Sequence, residues 1–415
     1  MIATLAPVSA LLLSVVFLLM GNGLQGTLLP VRAQLELFST TDIGILGSFY
    51  FLGFAAGCYF GPLVVRRAGH IRTFAAMVSL ASTATLVHVL VLEPVFWWPV
   101  RAITGFCFAV LYMVIESWLN EKSTNETRGT VFSIYTVINL FVLTVGQMML
   151  TLADPKAFPL FAVASILVSI AALPVALTKS PAPAPIASVQ IRIRYLFKSS
   201  PVGVVGALVV GFANGSFWSL APVFAQSNSA VAGTSGIATF MSISVIAGAM
   251  AQWPFGWLSD RIDRRKVIVI VCVGAAAMGI GMAVLGQRWE NAAYVFSFLF
   301  GLFAFPLYAI CAAHMNDSVE EGGFVEAAGG LLLLYGTGAV IGPILASASM
   351  RLVGGEGLYF FTAVAHMAMA GFAIYRLGRR ERRPEAEREP FADSVRIAQT
   401  VATIDPLPEA LAKED

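Results

Sequence analysis

Apolar stretches of about twenty residues recur twelve times along this chain, each cut off by a short polar break. A bilayer core of about 30 Å takes about twenty helical residues to cross, so the rhythm alone predicts a polytopic membrane protein. The expected spans are Val8 to Leu29, Ile43 to Val65, Ile71 to Leu92, Phe96 to Leu119, Gly129 to Leu152, Phe158 to Leu177, Val202 to Ala225, Gly236 to Leu258, Val267 to Leu285, Ala292 to Ala313, Val325 to Ala346 and Gly357 to Tyr375. They are expected as helices, because an open strand leaves amides unpaired in lipid and the stretches lack the alternation of barrel strands. Composition agrees: 58% hydrophobic and 12% charged residues leave too little polar surface for a water-soluble body of this size. The fold class expected is an all-α membrane protein of twelve helices.

The net charge of +2 is close to balance and points to no nucleic-acid partner. Its placement says more. Taking alternate loops, one side collects Arg66, Arg67, Arg72, Lys122, Arg128, Lys179, Arg192, Arg194, Lys198, Arg261, Arg264, Arg265 and Lys266, against Arg32, Lys156, Arg288 and Arg351 on the other. Basic loops stay cytoplasmic, so the first set is expected there, and an even number of crossings returns both termini to the same side. One loop dissents: Asp317, Glu320, Glu321 and Glu326 have no Lys or Arg close in sequence, but acids weigh little in orientation. The first span lacks a basic leader and a small-residue cleavage pattern, and is expected to stay attached.

Between Leu177 and Pro201 the apolar pattern stops. Pro181-Ala-Pro-Ala-Pro185 reads as a stiff linker, and Gln190-Ile-Arg-Ile-Arg-Tyr-Leu-Phe-Lys198 as a basic-aromatic connector suited to anionic lipid headgroups. The chain then divides into an N-terminal six-helix half (1–177), a cytoplasmic linker (178–200), a C-terminal six-helix half (201–376) and a charged tail (377–415) expected to be disordered. The halves repeat each other. Asn22-Gly23 with Pro30-Val31 recurs as Asn214-Gly215 with Pro222-Val223, Gly61-x-Leu63 as Gly256-x-Leu258, Gly105 and Tyr112 as Gly301 and Tyr308, and Gly146 as Gly342. Matches at so steady an offset imply a duplicated six-helix unit with a central site between the copies.

Gly256-Trp-Leu-Ser-Asp260-Arg261-Ile-Asp-Arg264-Arg265-Lys266, between spans eight and nine, resembles the loop signature of the major facilitator superfamily of transporters. Gly61-Pro-Leu-Val-Val65-Arg66-Arg67-Ala-Gly69-His70 is its counterpart in the first half, with Val65 where the family pattern has an acid. Arg101-x-x-x-Gly105 in span four is similar to a second signature, found in many proton-coupled members. The third, a span-five stretch of drug and proton antiporters, is absent, and Val145-Gly146-Gln147-Met148 stands in its place. In Gly146-Gln147, Glu116-Ser117, Arg128-Gly129 and Gly248 to Arg261 the chain resembles the YcaD-type bacterial branch. The resemblance implies a 6+6 pseudo-twofold bundle in a bacterial inner membrane, acting as a secondary active transporter of a small organic solute by alternating access. Protons are the implied coupling ion and a monomer the implied working unit. A membrane receptor or assembly protein that keeps the fold without transport is the rival reading, and Val65 is what favours it.

Two charges fit inside the membrane, Arg101 and Glu116, at about 2.5–3.5 kcal/mol each if central. Arg101, Gly105, Phe108, Tyr112 and Glu116 follow steps of three and four and share one side of span four. The resemblance puts spans one, four, seven and ten around the cavity. Arg101 is then expected in its outer half, meeting a substrate anion, tuning a nearby acid, or holding helix-end carbonyls. Glu116 is expected near the cytoplasmic end, as a proton carrier or, with Arg128, as part of an inner gate like that of sugar porters. Asn22 and Gln25 share a face of span one, and Asn214 and Trp218 a face of span seven. Amides in hydrocarbon need partners, either substrate or helices drawn close at Gly23 and Gly215. Tyr135 and Asn139 add a stripe in span five, and Tyr308 and Tyr335 add aromatic surface in spans ten and eleven. Amides, phenols, one indole and one cation suit a small amphipathic or anionic organic molecule.

Nothing resembles a phosphate-binding Gly-rich loop, a metal cluster or a nucleophile with its base, so no enzymatic activity, cofactor or metal is expected. Cys58, Cys107, Cys272 and Cys311 fall inside spans and read as small apolar side chains. His88, His314 and His366 read as interfacial or core residues, and His70 as a solvated loop residue. Gly53-x-x-x-Gly57 and Gly274, Gly279 and Gly281 are expected to pack helices within the bundle.

Overall fold

The computed structural model describes residues 8–123, 127–177, 192–289, 291–319, 323–379 and 391. Within them, twelve helices are long and apolar enough to cross a membrane. Spans one to four are Ser9–Leu35, Thr40–Ala68, His70–Leu90 and Pro94–Lys122. Span five is Arg128–Met148 with a tighter last turn, Met149–Leu152. Span six divides into Pro159–Ile170 and Ala172–Ala176, and a short connector helix, Ile193–Ser199, leads into the second half. Spans seven to nine are Pro201–Ser227, Gly233–Arg261 and Arg264–Leu285, span ten is Ala292–Ala304 plus Leu307–Asn316, and spans eleven and twelve are Phe324–Val353 and Gly357–Leu377.

Most helices overrun the apolar stretch that announces them, because local chemistry fixes their ends. Span two starts at a capping box in which Ser39 and Asp42 satisfy each other's backbone N–H groups. Span four starts on Pro94, whose missing N–H costs nothing at a first turn. Span ten breaks at Phe305-Pro306, where proline cannot donate back along the helix.

The repeat seen in the sequence is a repeat of helix crossings. Glycine lets span one touch span five, where a Cβ on Gly23 would lie 2.5 Å from the Leu143 carbonyl oxygen. In the second half a Cβ on Gly215 would lie 2.6 Å from Ala339 Cα, joining span seven to span eleven. Likewise Gly105 seats span four on the Tyr50 carbonyl of span two, and Gly301 seats span ten on the Ser244 carbonyl of span eight. The same small residues thus do the same work in both halves of the 6+6 pseudo-twofold bundle.

The apolar core is asymmetric along the bundle axis. At the face away from the described chain ends, one continuous cluster joins both halves, from Leu28, Ile43, Leu46 and Phe161 to Phe217, Phe224, Phe240 and Tyr359. At the opposite face, which carries Ser9, the connector helix and Leu377, the cores are separate. Leu18, Phe74, Phe108 and Trp118 belong to a first-half cluster, and Ile268, Cys272, Ile310 and Met369 to a second-half one. The sealed face is built by close contact: Gly44 packs against Ser347 and Pro343 of span eleven, and Gly47 against Ser219 of span seven.

Two expectations are corrected. His70 is not a solvated loop residue: it opens span three, is 3% exposed, and its Nε2 lies 3.3 Å from Ser117 Oγ, because span three starts one residue after span two ends. The dissenting acidic loop is neutralised by residues distant in sequence: Asp317 pairs with Arg264 at 2.8 Å, and Glu326 with Arg192 at 2.8 Å. Glu320, Glu321 and the Pro181–Pro185 linker lie outside the described residues. His88 and His366 are buried, as expected, and all four cysteines are buried and free.

Candidate functional site

A cavity of about 300 Å³ lies between the halves, walled by spans one, two, four and five on one side and seven, eight and eleven on the other. Such a volume is at the small end of ligand pockets. Arg101 is the one charged residue among those described that line it. It is 9% exposed and sits about two turns into span four, in the half next to the sealed face.

Arg101 is held from two sides. Its NH1 donates to Gln25 Oε1 at 3.2 Å, Gln25 Nε2 donates to Thr85 Oγ1 at 2.9 Å, and Thr85 Oγ1 donates to the Ala81 carbonyl at 2.9 Å. The guanidinium carbon lies 4.3 Å from the centroid of the Tyr50 ring, a cation–π contact. No carboxylate of the described residues comes within 4.0 Å of it. The cavity therefore contains a desolvated cation steadied by a neutral amide and an aromatic face.

Of the ten expected cavity residues, Asn22, Arg101, Tyr112, Trp218 and Tyr335 line the space. Gln25, Tyr135, Asn139, Asn214 and Tyr308 are not among the lining residues. Gln25 is turned away to brace Arg101, and Tyr135 donates to Glu116 Oε1 at 3.5 Å. Tyr308 stands edge-on behind Tyr335, ring centroids 5.4 Å apart, so span ten supplies no wall residue. Phe305, at the break of span ten, stacks on Trp218 at 5.6 Å and 7°, behind the indole that lines the cavity. The span-four stripe is likewise divided: Arg101 and Tyr112 reach the cavity, Gly105 seats span two, and Phe108 is core.

Sequence reasoning missed span two. Tyr50, Phe51, Phe54, Ala55 and Cys58 all line the cavity, and their i, i+4, i+8 spacing was the available signal. It also missed Gln147, which is 2% exposed and whose Oε1 has no hydrogen-bond partner among the described residues.

Glu116 is 7% exposed and lies outside the cavity lining, toward the unsealed face. Arg128 opens span five, and its side chain lies outside what is described. The expected link between Glu116 and Arg128 therefore lies outside the described residues.

A family model described as Major Facilitator Superfamily matches residues 11–328 and 228–410. The chain belongs to that superfamily. It is 26% identical over 352 residues to an uncharacterised MFS-type transporter of Enterobacter sp. (strain 638), covering 83% of this chain and 89% of the relative. It is equally 26% identical over 353 residues to the uncharacterised MFS-type transporter YcaD of Escherichia coli O17:K52:H18, with the same coverage. The crystal structure of the nucleoside transporter NupG superposes with a TM-score of 0.73 at 14% identity, over 90% of this chain and 99% of that one.

The superfamily's loop signature is ordered by charge. Arg264 Nε meets Asp317 at 2.8 Å, its NH1 meets Asp260 at 3.2 Å and donates to Ser259 Oγ at 2.9 Å. Arg265 forks onto Asp263 at 2.6 and 3.0 Å and donates to the Arg376 carbonyl at 3.0 Å, tying spans eight and nine to span twelve. Burial pushes the Asp263 carboxyl up, but the Arg265 guanidinium and backbone N–H outweigh it and hold Asp263 below the usual range. Arg261 lies over the Trp257 ring at 3.8 Å. In the first half, Val65 is 2% exposed in the core while Arg66 and Arg67 are exposed on the last turn of span two, and Gly61 packs against Val110 and Met113. Gly256 abuts the ring of Phe391, whose N–H donates to Asp260 at 3.0 Å. Phe391, within the tail expected to be disordered, is 8% exposed. For the rest of the tail beyond Arg379, that expectation lies outside the described residues.

Proposed function

We propose that this protein is a secondary active transporter that carries a small organic solute across a bacterial inner membrane by alternating access, driven by the proton gradient, with both termini cytoplasmic. One observation carries the reading: the two halves share a core at one face and have separate cores at the other, with a polar-spotted cavity between them. Two rigid halves that meet at one end and part at the other form one state of a rocking carrier. With the termini cytoplasmic, the sealed face is periplasmic and the state is open inward. The halves are taken to move as residues 1–177 and 201–376, within a monomer whose connector lies against lipid headgroups.

Proton coupling is assigned to Glu116, a buried carboxylate beside the Tyr135 hydroxyl at the unsealed end. There its hydration changes as the face opens and closes. The Arg128 gate is assigned to the same region. Two measurements test the reading. Gly336 lines the cavity with room for a side chain, so Gly336→Cys in a cysteine-free background should react with a membrane-impermeant thiol reagent from the cytoplasmic side. Faster labelling from the periplasmic side overturns the assigned orientation. In proteoliposomes, Glu116→Gln should lose proton-driven accumulation and keep solute exchange; unchanged accumulation removes Glu116 from coupling.

A further inference from the structure

Resting on the transporter reading above, we infer that the solute is a monoanionic organic acid, whose carboxylate docks on Arg101 in the first half while its apolar body lies against Trp218 in the second. The argument starts from charge. Arg101 is nine-tenths buried, and among the described residues its one hydrogen bond, from NH1 to Gln25, leaves the remaining donors of a five-donor fork without a partner on the cavity wall. A neutral solute filling about 300 Å³ would displace the water around this cation and return only hydrogen bonds to neutral acceptors, about half as strong as those to a carboxylate. A carboxylate replaces that water with a two-pronged ionic pair, the geometry for which guanidinium is built.

The number of charges follows from the same inventory. No second cation of the described residues lines the cavity, so a dianion would carry one charge into a low-dielectric space without a counterion, and an organic cation would meet Arg101 as a like charge. Among the described residues the second half contributes no charge to the lining: its side chains there are those of Trp218, Ser219, Met241, Leu332, Leu333 and Tyr335. A flat indole, held by stacking on Phe305, is a platform for an aromatic or branched apolar group. Gln147, 2% exposed, is among the residues lining the first-half wall. Bridging the two walls is what couples such a solute to the movement of the halves.

The test uses the full chain purified in detergent and a panel of four probes on one scaffold: phenylacetate, the neutral phenylacetamide, the dianionic phenylmalonate and the cationic phenethylamine, read by thermal stabilisation and by tryptophan fluorescence. Phenylacetate should bind and the other three should not. Arg101→Gln should weaken phenylacetate binding about 10- to 100-fold, and Arg101→Lys should recover part of it, which separates a lost charge from a misfolded bundle. Trp218→Ala should weaken binding while keeping the preference for the anion. Phenylacetamide binding as tightly as phenylacetate, full phenylacetate affinity in Arg101→Gln, or no binding of phenylacetate overturns the inference. The two readings fail separately. A neutral solute carried in proteoliposomes would sink the monoanion and keep the transporter. Phenylacetate bound at Arg101 but not moved under any gradient would keep the monoanion site and sink the transporter.

Discussion

The guanidinium of Arg101 rests 4.3 Å above the ring of Tyr50, and the two side chains come from adjacent helices that touch through Gly105. The cation is thus fixed by packing of spans two and four as much as by its own hydrogen bond. Its position in the cavity depends on Tyr50 within the wall and on Gln25 and Gly105 outside it.

Gln25 is the clearest of these. Changing Gln25→Leu keeps the volume and strands both Arg101 NH1 and Thr85 Oγ1 of one partner each. Buried groups left unsatisfied cost about 1–3 kcal/mol, so the melting temperature of the purified protein should fall, and the loss should not add to that of Thr85→Val in the double variant. Additive losses would show that the relay is not one unit.

The repeated helix crossings give a matched pair. Gly105→Ala and Gly301→Ala each drive a methyl into a backbone carbonyl, of Tyr50 and of Ser244, and both should lower folded yield in membranes. Gly371→Ala meets nothing within 4 Å and sits inside span twelve. It should be neutral or gain about 0.5–1 kcal/mol from helix preference. Monodisperse yield on size exclusion reads all three.

Phe391 seals the signature loop from the tail. Phe391→Ala uncovers Gly256 and loosens the N–H that Asp260 accepts. A lower melting temperature is expected, and removal of residues 380–415 should lower it to the same extent. A truncation with wild-type stability would show that the contact holds nothing.

The Asp263–Arg265 pair has a pH signature. The folded Asp263 is held below its usual range, so the pair contributes stability that is full above the unfolded value of about 4 and lost as pH falls through the lower, folded value. Asp263→Asn should therefore melt below wild type at pH 6, with the gap closing below about pH 4. Asn keeps the oxygen that accepts the Arg265 N–H, so a gap independent of pH would show that the loss does not come from the ionised carboxylate.

Much of the fold was legible in the residues because lipid leaves so few choices. A segment that must satisfy its own amides over about 30 Å has to be a helix; Gly23 and Gly215 marked close helix approach in the sequence, and Gly105, Gly146 and their counterparts marked the duplication. The loop chemistry from Gly256 to Lys266 was legible for the same reason: the positions are local, and Asp263 and Arg265 find each other two residues apart.

The site was only half legible, because which face of a helix meets a cavity is decided by its neighbours. Periodicity put Arg101, Tyr112 and Glu116 on one side of span four, yet span two covers part of that side and supplies Tyr50 and Cys58 to the wall. Of the expected aromatic residues, Trp218, stacked on Phe305, and Tyr335 line the wall, whereas Tyr308 stands edge-on against Tyr335 outside the lining. The sequence by itself determined twelve helices, their duplication and the presence of a buried cation, since each follows from burial and hydrogen bonding along one segment. Only the tertiary structure decided that the cation has Gln25 and Tyr50 beside it and no acid among the described residues, and that one face is shut. Both are contacts between segments far apart in the chain, where packing rather than local preference chooses the partner.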